Sequence, residues 1–423
     1  MFNTQRKFLK RPINNVYNNV YNNYNVLNNY QKLSIYLICS TYLFLTYYSS
    51  SINLIYNYPT LTDNNYEFNN NVYKLSNITY TFKNSTNNIS NTIPLLEHPM
   101  YKNNNTSSNL KFNDKGNFKI LVISDLHYQN GKTSPCRDIL NSQLPCDGTN
   151  TTFFIQNLLE LEKPDLVIST GDSIDWGADD AKTSLNEVYS PIIKANIPYA
   201  IVLGNHDQQS SLNRREIMEF ITSMNNSISL FNPTDPEFED INGFGNYHLV
   251  IGKDDASPEF ILYFLDSGAD TNNDIVKGYD WIHSSQIDYL KQTCNKYYGQ
   301  NGLLFWHIPT KEYENVKDNQ YTGSVLDSPG TPHINSGLIS NVLECNNIKG
   351  GFVGHCHNND FCFSYYGTHL CHVGGTGFNG YGITGVSRKA RIIHLKKHGK
   401  EIHTWKRMDQ NNKFTKFDKE VFN

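Results

Sequence analysis

The chain has 423 residues, 36 of them Lys or Arg and 40 Asp or Glu, giving a net charge of −4 with neutral histidines. That length allows two or three domains of about 100–200 residues each. The charge balance excludes the basic surface that nucleic-acid binding requires, while leaving a nucleotide open as a substrate.

Residues 1–32 read as an Asn-rich cytosolic tail, with runs such as Asn14-Asn15-Val16-Tyr17-Asn18-Asn19 that bury too little apolar surface to offset chain entropy. Residues 33–48 carry no charge, and extension to residue 56 reaches the roughly 20 residues of a membrane-spanning helix. Arg6, Lys7, Lys10, Arg11 and Lys32 precede this run, and no basic residue lies between Tyr48 and Lys74. The positive-inside rule therefore predicts a signal anchor over 33–56, hence a single-pass type II membrane protein with the chain after the anchor lumenal or extracellular. A secreted protein cleaved after Ser49-Ser50-Ser51 and a buried helix are the alternatives. Residues 57–113 read as an Asn-rich linker. Glycosylation triplets begin at Asn77, Asn84, Asn88, Asn104, Asn150 and Asn225, although an Asn-rich chain also makes such triplets by accident. Cys136 with Cys146 and Cys362 with Cys371 bracket short loops suited to disulfides in an oxidising compartment. Cys294 with Cys345 is a further option that leaves Cys356 free, and buried unpaired thiols are the other reading.

One large domain is expected over 114–408, followed by a tail over 409–423. An apolar run at 118–123 ends at Ser124-Asp125, and a helical pattern covers 153–161. A second run at 166–170 ends at Gly171-Asp172, and a helix is expected over 181–194. A third run at 199–203 ends at Gly204-Asn205-His206, with a helical pattern at 217–224. Strand, motif and helix repeated three times imply parallel strands with crossover helices. The second half reads as more antiparallel. Strands at 247–251 and 260–265, a helix at 286–297, runs leading into His307 and His355, and closing strands at 390–395 and 401–405 are expected there.

The chemistry sits in Asp125-Leu126-His127, Gly171-Asp172-Ser173-Ile174-Asp175, Gly204-Asn205-His206-Asp207, Trp306-His307 and Gly354-His355-Cys356-His357. Each motif follows a strand-like run, so all five gather beyond the carboxyl ends of one set of strands. Carboxylates, imidazoles and an amide oxygen are ligands for two divalent ions held side by side, Mn, Fe or Zn. Side chains two apart near a strand end point the same way, which pairs Asp125 with His127. Metal one is assigned Asp125, His127, Asp172 and His357, and metal two Asp172, Asn205, His307 and His355. A hydroxide held between the ions would attack phosphorus in a phosphate ester. His206 is the expected acid for the leaving oxygen, with Asp175 orienting it and Asp207 as the fallback. His333 and His372, in Gly/Pro-bearing loops, are candidates to reach substrate.

These residues resemble the calcineurin-like metallophosphoesterase superfamily, whose pattern of Asp-x-His, Gly-Asp, Gly-Asn-His-Asp, a single His and Gly-His-x-His is complete here. The segments at His307-Ile308-Pro309, Gly354 to Cys362 and Gly374 to Gly382 are similar to its fungal and plant purple-acid-phosphatase-like branch. The resemblance implies an α/β fold, a four-layer α/β/β/α sandwich of two mixed sheets flanked by helices. It also implies a metal-dependent phosphatase acting on phosphomonoesters of small molecules or phosphoproteins. Phosphodiester hydrolysis, of nucleotides or lipid headgroups, and a low-turnover binding or regulatory protein of the same fold are the alternatives. Three positions depart from family patterns. Asp175 stands where purple acid phosphatases place an iron-binding Tyr, His127 where they place Gly, and Trp176 where protein phosphatases place a phosphate-binding Arg. Phosphate contacts must then come from elsewhere, such as backbone amides in the Gly374–Gly382 loop.

Overall fold

A computed structural model of the protein describes residues 110–140, 144–252, 257–271, 275–410 and 413–422. The tail, anchor and nearly all of the linker expected from the sequence, with Asn77, Asn84, Asn88 and Asn104, lie outside the described residues. No helix among the described residues is long and apolar enough to cross a membrane.

The first half follows its apolar periodicity. Strand β1 (Phe118–Ile123), helix α1 (Thr149–Glu162), strand β2 (Leu166–Ser169), helix α2 (Ala181–Lys194), strand β3 (Tyr199–Ile201) and helix α3 (Arg214–Ser223) succeed one another. β1, β2 and β3 pair in parallel. Their unbroken apolar runs are those of strands covered on both faces. Two helix starts are set by side chains. Asp180 accepts from the amides of Lys182 and Thr183 before α2, and Asn213 and Glu216 form a reciprocal capping box on α3.

The second half contributes β4 (Tyr247–Gly252), β5 (Pro258–Phe264), helix α4 (Ser284–Lys296), β6 (Gly302–Phe305), β7 (Tyr321–Thr322), helix α5 (Leu338–Cys345), β8 (Ile348–Val353), β9 (Cys362–Tyr365), β10 (Thr368–His372), β11 (Lys389–Lys396), β12 (Glu401–Gln410) and β13 (Lys413–Phe422). One sheet has the order β13-β12-β11-β1-β2-β3 and the other β4-β5-β6-β8-β10-β9-β7. Both are mixed, so the fold is α/β with two sheets and helices. One apolar core joins residues of both sheets with α1, α2 and α3. A second packs the far side of the other sheet against α4 and α5. The layers are therefore helices, sheet, sheet, helices.

Antiparallel pairs predominate in the second half, as expected, at β4-β5, β10-β9, β9-β7, β1-β11, β11-β12 and β12-β13, but β5-β6-β8-β10 is a parallel run that the sequence reading did not anticipate. The short strands before His307 and His355 need the same crossovers as the first half. Residues 413–422 are not a tail but the edge strand β13, paired antiparallel with β12. The charged residues that suggest a tail are those of an exposed sheet edge, while Phe422 is buried and its ring stacks 3.9 Å from that of His369.

Candidate metal centre

The strand ends deliver the predicted residues to one place. Asp125, His127, Asp172 and His357 form one group and Asp172, His307 and His355 another, with candidate ligand atoms in each group lying within 4.8 Å of one another. Asn205 joins the second group, its Oδ1 lying 3.0 Å from His307 Nε2 and 2.9 Å from His355 Nδ1. Asp172 is common to both. Its Oδ2 lies 3.5 Å from His127 Nε2 and 3.2 Å from His307 Nε2.

The pairing of Asp125 with His127 does not come from strand pleating. β1 ends at Ile123, and Asp125, His127, Asp172 and His355 all have positive φ, between 46° and 71°. Left-handed turns carry these side chains at the site, a backbone uncommon for non-glycine residues though Asp and His adopt it more readily than most. Gly171, at φ 100°, permits the close approach of Gly204 and His307, and a Cβ there would lie 2.7 Å from His307 Nδ1.

The remaining ring nitrogens fix the tautomers. His127 Nδ1 faces Asp175 Oδ2 at 3.3 Å, His357 Nδ1 donates to the Tyr381 carbonyl at 2.8 Å, and His307 Nδ1 donates to the Thr170 carbonyl at 2.8 Å. Each Nε2 therefore points inward, where a metal would take its lone pair. His127 Nε2 and His357 Nε2 face each other at 3.0 Å, an opposition of two acceptors that a cation relieves. Asp125 Oδ2 and Asp172 Oδ2 are buried without a hydrogen-bond partner. Unpaired buried carboxylate oxygens beside inward-facing imidazoles fit a divalent metal site.

Electrostatics agree. Burial raises the Asp125 pKa. Burial opposes ionisation of Asp172 as well, but His307 and His127 hold it well below its ordinary value. Burial also opposes charge on His307, yet Asp172 and Asp125 raise it to about 9, whereas burial and the His307 charge push His355 down to about 3. The carboxylates thus stabilise positive charge at their centre, and His355 remains a neutral donor.

The expected partner of His206 is corrected. Asp175 does not orient it. Its carboxylate faces His127 and accepts from Gln129 Nε2 at 2.9 Å and from the Gly177 amide at 2.8 Å. Asp207, the fallback, accepts from the amides of Asp172, Ile174 and Gly204 and ties two motif loops together. His206 Nδ1 lies instead 2.7 Å from Gln209 Oε1, and its amide donates to Asp172 Oδ1 at 2.7 Å. Gln209 lies three positions after His206 across a short 3-10 turn, a local spacing that sequence reasoning passed over. Arg214 was also missed. It is paired with Asp266 and donates to the Gly204 carbonyl at 2.7 Å, holding the Asn205 loop, and nothing local in sequence links it to that aspartate.

His372 is fully buried on β10 against the rings of Tyr313 and Phe361, so it does not reach substrate. His333 is exposed and close to Gly278. The expected amides of the Gly374–Gly382 loop are largely engaged. Those of Gly375, Thr376 and Gly377 donate to the carbonyls of His357, Ser124 and Asp125, that of Phe378 to Thr151, and that of Gly382 to Asp138. This loop buttresses the centre instead, and a Cβ on Gly380 would lie 2.7 Å from the His357 ring and 2.9 Å from that of His127.

A double-sheet α/β fold with a divalent metal site at its strand ends defines a metallophosphoesterase. The calcineurin-like phosphoesterase model matches residues 118–359, and the chain belongs to that family. It is 38% identical over 335 residues to "Probable inactive purple acid phosphatase 14" of Arabidopsis thaliana, covering 72% of this chain and 83% of that protein. It is 34% identical over 321 residues to "Phosphatase DCR2" of Saccharomyces cerevisiae, covering 71% of this chain and 55% of that protein. Among solved structures, a dimetal phosphatase from Danio rerio aligns with a TM-score of 0.49 and 14% identity, covering 72% of this chain and 98% of that one.

Proposed function

We propose that the protein is a metal-dependent phosphoric ester hydrolase acting on phosphomonoesters. The observation that carries this reading is the pair of ligand groups sharing Asp172. Asp125, His127, Asp172 and His357 would hold one ion and Asp172, Asn205, His307 and His355 the other. Two bound divalent cations supply an acidified water and charge neutralisation for phosphoryl oxygens. Asn205 keeps the number of anionic ligands at two aspartates. His206, whose Nδ1 is held 2.7 Å from Gln209 Oε1, would serve the leaving oxygen through Nε2 as the general acid.

The name of the Arabidopsis relative favours a second reading, a low-turnover binding or regulatory protein. Against it stands the complete donor set with His206 beside it. Purified protein loaded with Mn²⁺, Zn²⁺ or Fe²⁺ and assayed on nitrophenyl phosphate and bis-nitrophenyl phosphate separates the readings. Preferred turnover of the monoester is expected. Preference for the diester marks a phosphodiesterase, and no turnover with metal bound marks the second reading.

The same proposal includes export with a type II anchor over 33–56. Disulfides at Cys136–Cys146, Cys294–Cys345 and Cys362–Cys371, with Cys356 free and buried, support an oxidising compartment. Of the two described glycosylation triplets, Asn225 is exposed, whereas Asn150 Oδ1 accepts from the Asp147 amide. A mass loss on deglycosylation that maps to Asn225 is the expected result.

A further inference from the structure

A phosphoryl dianion beside the metal ligands needs donors that the fold has not already used. Arg214 is paired with Asp266, and Arg388 donates to the carbonyls of Arg137, Gly380 and Tyr381. Of the loop amides, those of Gly375, Thr376, Gly377, Phe378 and Gly382 are engaged as described. Arg137 differs: among the described residues its guanidinium has no carboxylate partner, and it lies 6.0 Å from the centroid of the Trp176 ring.

The backbone at Arg137 is fixed while its side chain is exposed. The Cys136–Cys146 disulfide closes its loop. The Arg137 amide donates to the Phe378 carbonyl at 2.9 Å, its carbonyl accepts from Arg388 Nη2 at 2.8 Å, and Asp138 Oδ2 accepts from the Gly382 amide at 3.0 Å. The loop thus rests on the segment whose Gly380 abuts the His127 and His357 rings. Trp176 follows directly after Asp175, whose carboxylate faces His127. Trp176 is 64% exposed, a large apolar surface left at the protein's exterior. A tryptophan face of this kind holds a guanidinium by cation–π attraction and leaves its N–H fork free.

We propose that Arg137, steadied on Trp176 by the disulfide-closed loop, recognises the phosphoryl group at the metal-one side of the centre and favours dianionic monoesters over diesters. The proposal rests on the phosphoester reading of the site. A guanidinium fork takes two oxygens of one phosphoryl group, and a diester offers fewer free oxygens and less charge.

The test measures inorganic phosphate binding by calorimetry to the metal-loaded full chain, alongside KM on nitrophenyl phosphate and bis-nitrophenyl phosphate. Arg137→Ala should weaken phosphate binding and raise the monoester KM by about 10–100-fold, as for a lost charged hydrogen-bond pair. The diester KM should change less than about 3-fold, and metal content and thermal midpoint should match the wild type. Arg137→Lys should recover part of the loss, since charge returns without the fork. Trp176→Ala should show a smaller effect in the same direction. Unchanged phosphate binding in a metal-replete Arg137→Ala protein overturns the proposal, as does equal loss for monoester and diester. Arg137-dependent phosphate binding without turnover leaves the proposal standing and overturns the hydrolase reading. Wild-type protein that holds metal but binds no phosphate overturns both.

Discussion

Asp175 shows what residue spacing reveals and what it hides. The ligand types were legible because few side chains bind divalent ions and these recur directly after apolar runs. Which partner Asp175 takes was not, because a carboxylate three residues past Asp172 is near two histidines at once, and only the left-handed turn at His127 brings that ring to it. The corrected role has a consequence. Asp175→Asn should lower metal affinity by about 10–100-fold, the usual loss when a ligand histidine loses its carboxylate partner, as measured by metal titration. His206→Ala should retain both ions yet lose on the order of 10²–10⁴ in kcat, as for a missing general acid. Metal loss in His206→Ala, or undiminished affinity in Asp175→Asn, would reverse these assignments.

At the scale of elements, the strand–helix alternation of the first half was legible in order and type, and helix 181–194 matches α2, whereas the patterns at 153–161 and 217–224 begin four and three residues inside α1 and α3. Apolar periodicity locates the elements because each helix covers a fully buried parallel strand, but the first turns of α1 and α3 are polar and carry little of it. Residues 413–422 escaped because an edge strand needs only one apolar flank, and Lys416, Asp418, Lys419 and Glu420 dominate its sequence. The packing of Phe422 decides between strand and tail. Its ring lies 6.2 Å from that of Phe352 in the neighbouring sheet. Phe422→Ala should therefore destabilise the protein by about 3–5 kcal/mol in urea denaturation, the cost of emptying a buried phenylalanine site. A true tail would show no change.

The two sheets of the whole molecule are joined by polar as well as apolar contacts. Asp360, just before β9, bonds Lys389 Nζ of β11 at 2.7 Å and Lys406 Nζ of β12 at 2.5 Å, all three buried. Burial alone would raise the Asp360 pKa, but the two lysines pull it from 3.8 to about 2. The folded state thus binds this proton less readily than the unfolded chain. The contribution of Asp360 to stability is complete above pH 3.8 and fades as pH falls toward 2. Asp360→Asn should cost about 3–5 kcal/mol at neutral pH by leaving buried Lys389 without its carboxylate and Lys406 with Asp418 alone, and should flatten the acid limb of the urea midpoint over that window. No sequence pattern signals this cluster, since its members are brought together by the stacking of two sheets. The centre itself is a product of the same convergence, and its metal content tests it most directly. Elemental analysis of metal-loaded, folded protein should give two divalent ions per chain, and Asp172→Ala should lose both because the two groups share that carboxylate. Folded wild-type protein with no bound ion, or an Asp172→Ala variant that keeps two, would contradict the account.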